Sequence, residues 1–148
     1  AQTVQEYFTK YDKDRRALRI FDWMMANLEY DKQYLASHGY QGAKEVMANR
    51  GGVCGELAYL YVVFARCSGL KSNFVLVEKD VDGKDVLHAC AVVGKNAPIY
   101  VDPAYIEYDV HHKKTTILTD REACRYFVQP RERKQKLFAE VMRALAGS

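Results

Sequence analysis

Apolar residues recur at helical spacing through the first half of the chain and at alternate positions through much of the second. Leu18, Phe21, Met25 and Leu28 stand three and four apart, with Ile20 and Met24 widening the stripe and Trp23 beside it. That spacing predicts an amphipathic helix opened by Asp12 or Asp14. Short helices are expected over residues 3–9 and 41–49, the second with Val46 and Met47 inward. His38-Gly39 breaks the chain between them, and Arg50-Gly51-Gly52 reads as a flexible turn. From Cys54 to about Ser68, Leu57, Leu60, Tyr61, Phe64 and Ala65 make a broad apolar face. This helix should be the central one, stopped by Gly69.

After Gly69 the period drops to two. Residues 73–79 and 85–93 read as strands joined through Asp82-Gly83, a hairpin signal. Residues 99–102 make a third strand, ended by Pro103, which cannot donate to a ladder. A fourth is expected over 115–118. Asp120 caps a short helix to about residue 127, and Gln129-Pro130 separates it from a last, basic helix over 131–146. Helices followed by an antiparallel meander make an α+β domain, with helices packed on an antiparallel sheet.

The chain has 148 residues, 49% of them hydrophobic and 28% charged. That is one ordinary domain, 1–148, able to bury roughly 68–70% of the surface its unfolded chain exposes. It needs neither disulfide nor metal to fold. Whole-chain disorder and coiled coil are excluded, and no apolar run approaches the roughly 20 residues that span a bilayer. The net charge of +3 is uneven: residues 111–148 carry +5 and the rest −2. A solvated helix face accounts for this better than an acidic partner. Basic and aromatic residues do not interleave as in a nucleic-acid groove, so no nucleic acid is expected. The chain begins at Ala1, the mark of a processed product or of a piece of a longer polypeptide. Cytoplasmic and secreted locations both stay open.

Chemistry enters with the cysteines. Cys54, Cys67, Cys90 and Cys124 lack zinc-ligand spacing and the density of a disulfide scaffold, and three read as small buried hydrophobes. Cys54 differs. It follows Gly51-Gly52-Val53 and opens the buried helix, where unpaired N–H groups and the helix dipole favour a thiolate. Its own N–H can donate to an oxyanion. Further oxyanion or substrate contacts are Tyr30, Asn49 and Gly52, although packing accounts for Tyr30 and a turn or cap for Asn49. His88 sits in the second strand, on one face with Cys90 and Val92 and opposite Leu87, Ala89, Ala91 and Val93. Asp102 ends the next strand. Together they supply a nucleophile, a base and a group that orients the base. Taken singly, His88 reads as a core histidine and Asp102 as a turn residue. Glu56 is either a cleft-lining acid or an exposed first-turn acid. His111-His112 make a poor chelate and read as a solvated loop. Tyr30, Tyr34 and Tyr40 form either a substrate wall or ordinary packing.

Gly51-Gly52-Val53-Cys54-Gly55-Glu56-Leu57-Ala58, the later Gly69, His88-Ala89 and Val101-Asp102-Pro103-Ala104 together resemble the transglutaminase-like core. Trp23-Met24-Met25-Ala26-Asn27-Leu28-Glu29-Tyr30-Asp31 is similar to the helix that precedes the nucleophile in bacterial members. The resemblance covers about residues 14–105. It implies a papain-like architecture, a thiol acyl-enzyme mechanism without metal or cofactor, and Cys54, His88 and Asp102 as nucleophile, base and partner. Two positions depart from it: Cys90 stands where the family places an aromatic residue, and Ile99-Tyr100-Val101-Asp102 lacks the usual Trp. The substrate it implies is a protein or peptide amide. The resulting thioester would go to an amine, giving cross-linking, or to water, giving deamidation or proteolysis. A non-catalytic binding module within a larger protein is the alternative.

Overall fold

The structure, a computed structural model, describes residues 7–8, 13–33 and 41–125. The helices expected over 3–9 and 131–146, Tyr34, Tyr40 and the break at His38-Gly39 lie outside those residues or are only touched by them.

Helix α1, Lys13–Asn27, buries Ala17, Ile20, Phe21 and Met24, continued by Leu28 just beyond its end. This stripe is rotated from the one the sequence suggested: Leu18 is 40% exposed and Met25 only partly buried. The small Ala17 explains the rotation, because it lets α1 close on the central helix until the Tyr61 hydroxyl donates to the Ala17 carbonyl at 2.8 Å. Trp23 packs edge-on against Phe64, with ring centres 5.6 Å apart.

Strand β1 is Glu29–Tyr30, helix α2 is Ala43–Asn49 and strand β2 is Gly51–Gly52. β1 and β2 pair in parallel, Glu29 with Gly51 and Tyr30 with Gly52. The predicted flexible turn is therefore a buried strand. Only Arg50 turns the chain, at φ 56 as the C-cap of α2. The glycines are needed for contact. A Cβ on Gly51 would lie 2.7 Å from the Glu29 carbonyl oxygen, and one on Gly52 would lie 2.9 Å from Glu56 Oε1. Gly51→Ala is expected to cost about 1–3 kcal/mol through this overpacking. Urea unfolding would measure it, and wild-type stability would show that the two strands separate freely.

Helix α3, Cys54–Cys67, is buried along most of its length, including Leu57, Leu60, Tyr61 and Phe64. It ends in a Schellman motif. Gly69, at φ 83, donates to the Arg66 carbonyl, and Leu70 donates to that of Ala65. Five antiparallel-paired strands follow: β3 Ser72–Lys79, β4 Asp85–Val93, β5 Ile99–Asp102, β6 Glu107–Tyr108 and β7 Lys114–Ile117. Their order is β6-β5-β4-β3-β7, a meander whose last strand returns to the free side of β3. Strand alternation sends Ala89, Ala91, Val93 and Val101 to the core shared with the helices, and Cys90 and Val92 to a second cluster with Val75 and Val77. Helix α4, Asp120–Arg125, is tied back to α3 by Arg66, whose guanidinium makes two bonds to Asp120 at 2.7 and 3.0 Å. Among the described residues no helix is long and apolar enough to cross a membrane.

Candidate active site

Cys54 is the first residue of α3 and only partly buried. The first bond within α3 runs from the Leu57 N–H to the Val53 carbonyl, so the N–H groups of Cys54, Gly55 and Glu56 precede the helical ladder. Valine at the N-cap has no side-chain acceptor. Glu56, at N3, supplies the reciprocal half of a capping box, accepting from the Val53 N–H at 2.8 Å.

Glu56 is fully buried, which corrects the reading of an exposed or cleft-lining acid. One carboxylate oxygen takes the Val53 N–H and, at 3.3 Å, the Gln41 side-chain amide; the other takes the Gln41 main-chain N–H. Burial raises its pKa, against the opposing pull of these donors. The Gln41 amide also donates to the Gly51 carbonyl at 3.0 Å, so β2 and the start of α3 are held as one piece.

His88 and Asp102 come together. His88 Nε2 lies 2.7 Å from Asp102 Oδ2, with both side chains buried. This leaves His88 Nδ1 as the ring nitrogen free to serve the thiol, and Cys54 lies close enough to raise the titration of the ring. Burial works against a charged ring here. The hydrogen bonds to Asp102 and Cys54, and their charges, outweigh it and raise the His88 pKa to about 9. Cys54, His88 and Asp102, read from three separate stretches of sequence, thus form one continuous chain of side chains.

The three further candidates part ways. Tyr30 is half exposed, and its hydroxyl pKa is raised by burial and then by the charge of Cys54, so it lies within electrostatic range of the sulfur. Gly52, paired with Tyr30, is buried and packs against Glu56. Asn49 is turned away: its amide donates to Gln41 Oε1 at 2.8 Å, and it lines a separate cavity with Met25, Leu28 and Arg50. Its bond fixes the Gln41 side chain rather than capping a helix end.

One site residue was misread. His112 is not solvated. Its side chain is fully buried, and its Nε2 lies 2.6 Å from the Asp102 oxygen that His88 also contacts. Two main-chain bonds hold it there, Val110 N–H to the Tyr100 carbonyl and Lys113 N–H to that of Asp80. The only signal in the sequence was position, two residues from the apolar Val110. Tyr105 completes the enclosure. Its ring centre lies 4.5 Å from that of His88 and 5.3 Å from that of His112, and its N–H donates to Asp102 Oδ1 at 3.0 Å.

Cys90 and Cys124 are buried and poor competitors, whereas Cys67, at the end of α3, is only partly buried, against the expectation of a buried hydrophobe. Burial pushes the Cys90 thiol far up, and raises that of Cys124. Among the described residues the one cluster with metal-ligand chemistry is His88, Asp102 and His112, whose ligating atoms lie within 4.8 Å of one another. Its nitrogen-to-oxygen contacts of 2.6 and 2.7 Å are hydrogen-bond lengths.

The chain is similar in structure to a proposed cysteine protease from Cytophaga hutchinsonii, with a TM-score of 0.54 and 20% identity over 76% of this chain. It spans 40% of that protein's length. It is also similar to Legionella pneumophila LapG, in an EGTA-treated form, with a TM-score of 0.51 and 12% identity over 77% of each chain. No curated protein matches in sequence. Both likenesses show the papain-like, transglutaminase-like fold. The family model of the transglutaminase-like superfamily matches residues 1–110, the stretch that carries Cys54, His88 and Asp102. With three quarters of its length matched, the chain belongs to the transglutaminase-like superfamily.

Proposed function

We propose that this protein is a cysteine-dependent amide hydrolase or acyltransferase acting on a protein or peptide, with Cys54 as nucleophile, His88 as acid and base, and Asp102 as its partner. The observation that carries the reading is the buried 2.7 Å contact between His88 and Asp102, on a ring whose titration the nearby Cys54 also raises. His88 takes the proton of Cys54, and the sulfur attacks the carbonyl of a glutamine side chain or peptide bond. The Cys54 N–H, with the Tyr30 hydroxyl, receives the oxyanion. His88 then gives its proton to the leaving amine as the carbon–nitrogen bond breaks, and a thioester remains. Water resolves it to a carboxylic acid; an amine resolves it to a new amide. No metal or cofactor is called on in these steps.

The test is a screen of ammonia release, amine incorporation and peptide cleavage on glutamine-containing proteins. Product in any arm that disappears when Cys54 is alkylated supports the reading; its persistence after complete alkylation sinks it. The pH profile carries its own sign. Activity needs the protonated ring, so kcat/KM should fall as pH rises through about 9. Asp102→Asn removes the charge that raises His88, so this fall should move toward the ordinary imidazole value near 6.5. The linkage to stability runs the same way. A raised histidine favours the folded state fully below about 6.5 and loses that contribution as pH climbs through about 9.

A further inference from the structure

We infer that His112 is a positioning residue that shares the Asp102 carboxylate with His88 and so limits how strongly Asp102 holds the His88 proton. The inference rests on the reading of Cys54, His88 and Asp102 as the reacting set.

The argument begins with the donors around one carboxylate. Asp102 Oδ1 takes the Tyr105 N–H, while Oδ2 faces two imidazole nitrogens, His88 Nε2 at 2.7 Å and His112 Nε2 at 2.6 Å. Asp102 is fully buried, so no bulk water competes for it. Two donors on one oxygen divide its lone pairs and its charge. A carboxylate that also accepts from His112 offers less to His88 than one that does not. The tautomer follows from the partners. His112 Nε2 faces the acceptor, and among the described residues Nδ1, also buried, has no hydrogen-bond partner. The neutral ring with its proton on Nε2 satisfies the contact and leaves only a bare lone pair unpaired. A proton on Nδ1 instead would set a lone pair against the carboxylate and bury an unmatched donor.

The groups around His112 fit this role. His88 presents from β4, Asp102 from β5, and Tyr105 from the turn after β5. Asp80 lies at the β3–β4 turn, close enough for its charge to interact with His112. Cys54 lies within electrostatic range of His88, and Cys90 within that of Asp102. Asp80 is itself bound by the Asp82 and Lys84 N–H groups and, at 3.4 Å, by the Tyr105 hydroxyl. Thus the same turn that fixes Lys113 through the main chain also fixes the ring set edge-on to His112.

The test needs no knowledge of the natural substrate. Iodoacetamide alkylation of Cys54, followed from pH 4 to 10, reads the sulfur–imidazole pair through an upper step where His88 loses its proton. His112→Phe keeps an aromatic ring and removes the donor; His112→Gln restores a donor. The expected result is an upper step about half to one pH unit higher in His112→Phe, with His112→Gln returned toward wild type. An unchanged upper step in a folded His112→Phe overturns the inference. Failure of the underlying reading looks different: the wild type itself would then show one step, at the ordinary thiol value near 8.5. Should His112→Phe not fold, long-range proton–nitrogen NMR of the wild-type histidines decides. A proton on His112 Nε2 supports the sharing, and one on Nδ1 alone overturns it.

Discussion

Cys54→Ala is expected to lose at least about 10⁴-fold in turnover on any amide substrate while keeping its fold and most of its affinity for that substrate. The size follows from the mechanism: without sulfur no thioester forms, and only binding and the oxyanion donors remain to assist water. The fold should survive because Cys54 is only partly buried, at the mouth of α3, and the cap of that helix depends on Glu56. The loss should leave KM little changed, since the thiol contributes to the transition state rather than to ground-state binding. His88 supplies an internal check. Without Cys54 it loses one of the hydrogen bonds and one of the charges that raise it, so its NMR titration should move below about 9 while the bond to Asp102 keeps it above 6.5. Full turnover in Cys54→Ala would end the proposed mechanism, and an unmoved His88 titration would separate the ring from the thiol.

The second large effect is on stability. Glu56→Ala should lower the unfolding free energy by about 3 kcal/mol or more, read from urea midpoints at constant slope. The carboxylate accepts from the main-chain N–H groups of Val53 and Gln41 and from the Gln41 side chain, all in the interior. Alanine leaves the two main-chain N–H groups without an acceptor and opens a void. Glu56→Gln should fall between. Its amide oxygen can keep the Val53 contact, but its NH₂ group then meets the Gln41 N–H, donor against donor. The pH dependence separates the two variants from wild type. Burial raises the Glu56 carboxyl, so its contribution is greatest in acid and declines as pH rises through the raised value. Both variants should lack that decline. Wild-type midpoints in Glu56→Ala would mean that the β2–α3 corner does not depend on this carboxylate.

How much of this was legible in the sequence depended on the length of the pattern. β4 and β5 begin and end where alternation, Asp82-Gly83 and Pro103 place them, because many residues share one period and the turns are marked chemically. The placement of Cys54, His88 and Asp102 in the fold was readable because each sits at an element boundary or within a strand whose facing follows from spacing. β1 and β2 were not, since two residues carry no period and their pairing joins segments about twenty positions apart. Glu56 looked like a surface acid because its environment is made by Gln41, fifteen residues earlier. The Leu18 stripe was offset because the choice between neighbouring helix faces was made by Tyr61 on another helix. His112 had no periodic context at all, and its burial is a product of the chain path between β6 and β7.

The ordering of the sheet has a consequence for how molecules of this protein meet one another. The long strands β3 and β4, of eight and nine residues, lie inside, while the margins are β6 and β7, of two and four. Among the described residues, a neighbouring molecule searching for unpaired main chain along this sheet finds only these stubs, and the longer stub carries Lys114, bonded to Glu78 at 2.9 Å. Growth of the sheet from one copy into the next has almost no template, so the protein should resist β-type self-association even at concentrations where its apolar interior would otherwise be a hazard.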